Sequence, residues 1–169
     1  MRASETVEIA LHMMSLLASV GPRRALSGGR LAEFNSLPAT TTAKAMQALA
    51  SAGLVGGRKG RAGGYYLERD PVEISVAEIV RAVAPDPGFQ CSEIRQQGPC
   101  RRPDGTYSSR CAIAATMDAA QQKWWQHLEA VSLAELTGRV VGQLDPSETG
   151  LATEWLVDKV KVIEPETSG

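Results

Sequence analysis

The stretch Leu54-Val55-Gly56-Gly57-Arg58-Lys59-Gly60-Arg61-Ala62-Gly63-Gly64-Tyr65-Tyr66-Leu67 decides the fold. Two short apolar runs, Leu54-Val55 and Tyr65 to Leu67, flank a glycine-rich basic turn, which is the pattern of a β-hairpin with a long tip. Immediately upstream, residues 39–52 read as a helix with Met46 and Leu49 inward and Thr40, Thr41, Lys44 and Gln47 more exposed, stopped by Gly53. Before it, Ser27 can cap a short helix through Leu31, Ala32 and Phe34, and Asn35 to Pro38 makes the turn between the two. Residues 4–19 place Val7, Ala10, Leu11, Met14 and Ala18 on one helical face, and Gly21-Pro22 ends that helix. Helix, helix, turn, helix, hairpin is the order of a winged helix-turn-helix. A further helix, with Ile74, Ala77, Ile79, Val80 and Val83 at near-helical intervals, completes a domain over residues 1–84.

Downstream the composition changes twice. Residues 85–110 hold Pro85, Pro87, Gly98-Pro99 and Pro103-Asp104-Gly105 and read as a loop. Residues 111–137 bring Ile113, Met117, Ala120, Trp124, Leu128 and Val131 every three or four positions, which predicts one long amphipathic helix. A helix of that length projecting from a small domain is expected to pack on a second copy. Residues 138–169 form a C-terminal extension with one more helix near 152–162 and a polar end. The expected fold class is therefore mainly α with a small β-hairpin wing: a winged helix-turn-helix domain plus a long dimerisation helix.

At 169 residues and 43% hydrophobic, the chain can bury a core. Its net charge of −1 provides no global basic field, so a nucleic-acid surface has to be a local patch. No run is apolar enough to cross a bilayer, and Glu8, His12 and Ser15 interrupt the first apolar stretch, so no membrane association and a cytoplasmic location are expected. No nucleophile with a partnered base and no phosphate loop points to catalysis.

In a helix-turn-helix the second helix enters the major groove, and its first exposed residues meet base edges. Here those are Thr40, Thr41 and Thr42, with hydroxyls that donate or accept, and Lys44, suited to a phosphate or a guanine. The wing adds Arg58, Lys59 and Arg61, and glycines such as Gly63 let backbone approach the duplex. The expected partner is a double-stranded, pseudo-palindromic operator. A solvated turn and a helix-capping Thr run are the plain alternatives.

All three cysteines, Cys91, Cys100 and Cys111, fall in the loop or at its end. With eight residues between the first two and ten between the last two, they are not a zinc knuckle. Three thiolates need a fourth ligand, and the chain has two histidines, His12 and His127. His12 lies four residues after Glu8, so both project from one helix face and could grip a metal atom together. The alternative is a polar stripe of Ser4, Glu8, His12, Ser15 and Ser19 that does nothing but solvate the helix. His127, beside Trp124 and Trp125, reads as structural. A thiol-redox switch using the cysteines is a further option.

Taken together, these residues resemble the bacterial winged-helix regulators of the Rrf-two type. The resemblance spans about residues 1–137 and rests on several stretches. They are the Met1-Arg2 start running into the first helix, Leu-Ala-Ser-Ala-Gly-Leu-Val at 49–55, the wing Gly60-Arg61-Ala62-Gly63-Gly64-Tyr65, the 74–83 segment, and three cysteines before a long helix. It implies a homodimeric transcription factor, a repressor, controlled by an iron-sulfur cluster that senses redox state, nitric oxide or iron. The helix Val7-Glu8-Ile9-Ala10-Leu11-His12 resembles that of the RsrR-type sensors, which implies a 2Fe-2S cluster held by Glu8 and His12 of one subunit with Cys100 and Cys111 of the other. That leaves Cys91 as a spare thiol in this arrangement, while it stays among the candidate metal residues, and a 4Fe-4S cluster is the alternative nuclearity. The cysteine spacing is wider than in the nitric-oxide sensors of the family. The alternatives are a cluster-free thiol-redox regulator and a protein-binding module that uses the long helix.

Overall fold

The computed structural model describes residues 5–22, 24–60, 63–84, 91–92, 94–99, 101–103, 107 and 109–162. Helix α1 (Glu5–Val20) has no glycine or proline and buries Val7, Ile9, Ala10, Met13, Met14, Leu16, Leu17 and Val20. Such a wide apolar face makes α1 the central strut of the domain. The short strand β1 (Arg24–Ala25) follows. Helix α2 (Gly28–Phe34) begins where the Ser27 hydroxyl accepts the Arg30 N–H at 3.3 Å. Helix α3 (Ala39–Ser51) starts after Pro38, whose extended backbone sets the entry without a side-chain cap. Strands β2 (Val55–Arg58) and β3 (Gly64–Leu67) pair antiparallel from Val55 opposite Leu67 to Arg58 opposite Gly64. Leu26 bridges Tyr65 through bonds of 3.1 and 2.8 Å and ties the wing to the chain between β1 and α2.

Helix α4 (Val76–Val83) opens with a capping box: the Ser75 hydroxyl accepts the Glu78 N–H, and the Glu78 carboxylate accepts the Ser75 N–H at 2.8 Å. Arg69 adds an ion pair to the same carboxylate at 2.5 Å. Partial burial opposes ionisation of Glu78, but the Ser75 N–H and the Arg69 guanidinium outweigh it and hold the carboxyl below its ordinary range. The helices and hairpin expected over residues 4–83 are therefore present within a residue or two of the expected limits, and the mainly α winged-helix class is the observed one.

The single long helix expected over 111–137 is instead two: α5 (Ala112–Glu129) and α6 (Leu133–Gly142). Backbone pairing breaks it. Val76 N–H bonds to the Val131 carbonyl at 2.9 Å, and Leu133 N–H bonds to the Ile74 carbonyl at 2.7 Å. The Ser132 hydroxyl then caps a new helix by accepting the Glu135 N–H at 3.1 Å. Leu133 is fully buried, and α6 lies against α1.

Helix α7 (Pro146–Lys159) starts earlier than expected, because Asp145 accepts the Ser147 and Glu148 N–H groups and Pro146 stands at the first helical position. Trp155 meets Phe34 of α2 edge to face at 5.0 Å, and Leu156 and Val160 pack on the core. Strand β4 (Lys161–Val162) pairs antiparallel with β1. The extension thus returns to the winged domain. Contacts divide the chain into residues 1–85 with 129–169, and residues 86–128.

Candidate functional site

On α3, Thr40 and Lys44 are exposed, as are Ala43 and Gln47 on the same face. Thr41 is half-buried, and its N–H, like that of Thr42, bonds to the Pro38 carbonyl at 3.1 Å. Thr42 is a correction: it is fully buried, on the face shared with Ala45, Met46 and Leu49, and its hydroxyl has no hydrogen-bond partner among the described residues. It faces the core and is not accessible to a base edge, contrary to the expectation from sequence.

In the wing, Arg58 ends β2 and is half-buried, and Lys59 is exposed at the tip. Gly63 is a second correction, because it is buried in the turn and unavailable as an open approach surface. Its N–H bonds to the Gly60 carbonyl at 2.9 Å, and a Cβ there would lie 2.2 Å from the Arg58 carbonyl oxygen. Gly60 itself sits at φ +99°, where a side chain would strain the backbone. These glycines shape the tip that carries the cations. Arg61 lies outside the described residues. What remains is a cationic set, Lys44, Arg58 and Lys59, in a chain whose net charge is −1.

Glu8 and His12 are both exposed, one turn apart on α1. They border a shallow open groove with Glu5, Ile9, Asn35 and Leu37. The α2–α3 turn supplies Asn35 and Leu37. Nothing in the sequence links position 35 to position 8, so the polar groove was not legible there. Ser15 is buried, so the polar stripe along α1 is not one continuous solvated face.

Within residues 86–128, Cys91 and Cys111 are half-buried, and Cys100 lies outside the described residues. Cys111 directly precedes α5, and its carbonyl accepts the Ala115 N–H at 2.9 Å, so its side chain stands at the positive end of an 18-residue helix. A helix N-terminus favours negative charge near it. Arg110 beside it is ion-paired to Asp118 at 2.6 Å. Along α5, Ile113 and Met117 are exposed, and Trp124 and Trp125 contact each other at 4.5 Å while half-buried. Among the described residues, no three His, Cys, Asp or Glu side chains of one chain converge on a metal-sized point. The Glu8 carboxylate and the His12 imidazole both line one open groove. Carboxylate, imidazole and thiolate form a donor set that suits iron.

A family model described as Rrf2, iron-dependent transcriptional regulator, matches residues 3–139. Among solved structures, IscR of T. potens is 20% identical with a TM-score of 0.65, the match covering 86% of this chain and 93% of that one. CymR of S. aureus in its oxidized form is 21% identical with a TM-score of 0.61, covering 81% and 96%. CymR (YrzC), the global cysteine regulator of B. subtilis, is 22% identical with a TM-score of 0.62, covering 82% and 98%. At these identities the likeness is one of fold. No curated protein matches the chain.

Proposed function

Because the chain belongs to the Rrf2 family of transcriptional regulators, DNA-binding proteins and not enzymes, we propose that it binds its operator as a homodimer under the control of an iron-sulfur cluster. The observation that carries the cluster reading is the joint exposure of Glu8 and His12 on one face of α1, at an open groove. The closeness to the RsrR-type sensors is part of the proposal: Glu8 and His12 of one subunit act with Cys100 and Cys111 of the other around a 2Fe-2S cluster. Such a cluster, when bound, supplies one-electron redox reactivity.

The chain's own residues connect that site to DNA. Glu8 and His12 stand on the exposed face of α1, whose opposite face, through Met13, Met14 and Leu17, packs in the same core as Met46 and Leu49 of α3. A grip on the outer face of α1 therefore acts on the helix that bears Thr40 and Lys44. The signal biases the spacing of two reading heads, a shift between two dimer geometries. The exposed Ile113 and Met117 of α5 support pairing with a second copy, and a two-fold dimer reads a pseudo-palindrome. No helix among the described residues is long and apolar enough to cross a membrane. The half-buried Cys91, outside the proposed ligand set, favours one second reading, a cluster-free thiol switch.

The DNA surface is tested by replacing its exposed cations. Lys44→Ala and Lys59→Ala should each weaken operator binding and lower the slope of log K against log salt by about one. Titrations at several salt concentrations measure this, and unchanged affinity and slope in the double variant would place the reading surface elsewhere.

A further inference from the structure

The base of the β2–β3 pair is tied to the strand that follows α7. Leu26 exchanges two backbone bonds with Tyr65 of β3, 3.1 and 2.8 Å long, and Tyr65 stands opposite Gly57 of β2. Ala25, the residue before Leu26, stands opposite Lys161 of β4, and Arg24 stands opposite Val162. Two two-stranded sheets are thereby joined at the step from Ala25 to Leu26, and backbone pairing runs from β4 through β1 to β3 and β2. Ala25 and Leu26 are both fully buried, so their backbone groups depend on these partners and not on water.

The wing strands need that anchorage more than a larger sheet would. β2 and β3 have four residues each, β2 reads Val-Gly-Gly-Arg, and a two-stranded hairpin by itself is marginal in water. β1, at their base, has only two residues, and its other edge is covered by β4. Helix α7 keeps β4 in place, because Trp155 sits on Phe34 of α2 while Leu156 and Val160 pack on the core. Both α7 and β4 lie beyond residue 139, where the family match ends.

We propose that β4, through Lys161 and Val162, is a positioning element for DNA binding. It fixes β1, and through the bridge from Leu26 to Tyr65 it fixes the β2–β3 pair so that Arg58 and Lys59 meet the duplex. The inference rests on the DNA surface proposed above, and it assigns no DNA contact to β4 itself.

The test compares the wild type, Lys161→Pro and a chain ending at Val160, each with and without Lys59→Ala, at a temperature where circular dichroism shows all of them folded. Lys161→Pro takes an N–H from the strand and keeps α7. The probe is a DNA duplex that the wild type selects from a randomised pool, and its dissociation constant is measured at several salt concentrations. Either β4 variant should bind it roughly fivefold more weakly than wild type, within the range found for changes that act on a site without touching its ligand. Lys59→Ala should lower affinity and salt slope in the otherwise wild-type chain, and should have little further effect once β4 is broken. A general loss of stability would instead leave the two effects additive. Wild-type affinity in either β4 variant would overturn the proposal, and so would additive effects. If Lys59→Ala changes nothing in the otherwise wild-type chain, the wing is not part of the reading surface, and the role of β4 falls with it. If the shortened chain is not recovered folded, Lys161→Pro carries the same comparison alone.

Discussion

Glu8→Ala combined with His12→Ala is expected to give a protein that folds normally and no longer retains iron. Both side chains are exposed on α1, so their truncation opens no cavity, and alanine is the better helix former. The stability change should stay within about 0.5 kcal/mol, as for surface substitutions generally. The cluster, in contrast, loses half of its proposed ligands. Absorption spectra of anaerobically purified protein measure the loss, and far-ultraviolet circular dichroism verifies the fold. A normal spectrum in the double variant would eliminate the mixed-ligand site and leave a cysteine-only site in its place. His12→Cys is a useful companion, because a thiolate is the stronger donor and should lower the reduction potential.

Deleting the chain beyond Gly142 should destabilise the DNA-binding domain itself. The family match ends at residue 139, so α7 and β4 lie beyond it, yet both are joined to the head. Trp155 packs on Phe34 of α2, Leu156 and Val160 cover the core, and β4 satisfies the edge of β1. Burying a large aromatic contributes about 3–5 kcal/mol when complete, so the half-buried Trp155 alone is expected to account for about 2 kcal/mol. The truncation should cost more than Trp155→Ala, because it also exposes the β1 edge. Urea titration would register both as lower midpoints. Identical midpoints for full-length and truncated chains would mean that the C-terminal return contributes nothing.

Where one local signal dominated, the structure could be read from the sequence. The Ser27 cap, the wide apolar face of α1 and the Gly53 stop each act within a few residues, and the elements they define are present. The break between α5 and α6 had a local signal too, the Ser132-x-x-Glu135 cap, but the apolar periodicity running through Leu128 and Val131 masked it. The Val76 N–H, bonded to the Val131 carbonyl, and the Ile74 carbonyl, accepting the Leu133 N–H, decided the matter from far away in sequence. Thr42 misled because a hydroxyl suggests exposure, whereas its spacing to Ala45, Met46 and Leu49 put it on the buried face. Gly63 misled in the opposite sense, since the steric demand of the turn is invisible until the Arg58 carbonyl is in place. Asn35 beside Glu8 and His12, and Trp155 on Phe34, are tertiary contacts that no periodicity foretells.

Iron and acid-labile sulfide assays on the anaerobically purified wild type decide whether the iron-sulfur cluster proposed for this Rrf2-family regulator is present. One 2Fe-2S cluster per subunit predicts equal amounts of each, about two iron and two sulfide per protomer. Protein free of both elements, recovered folded under those conditions, would contradict it.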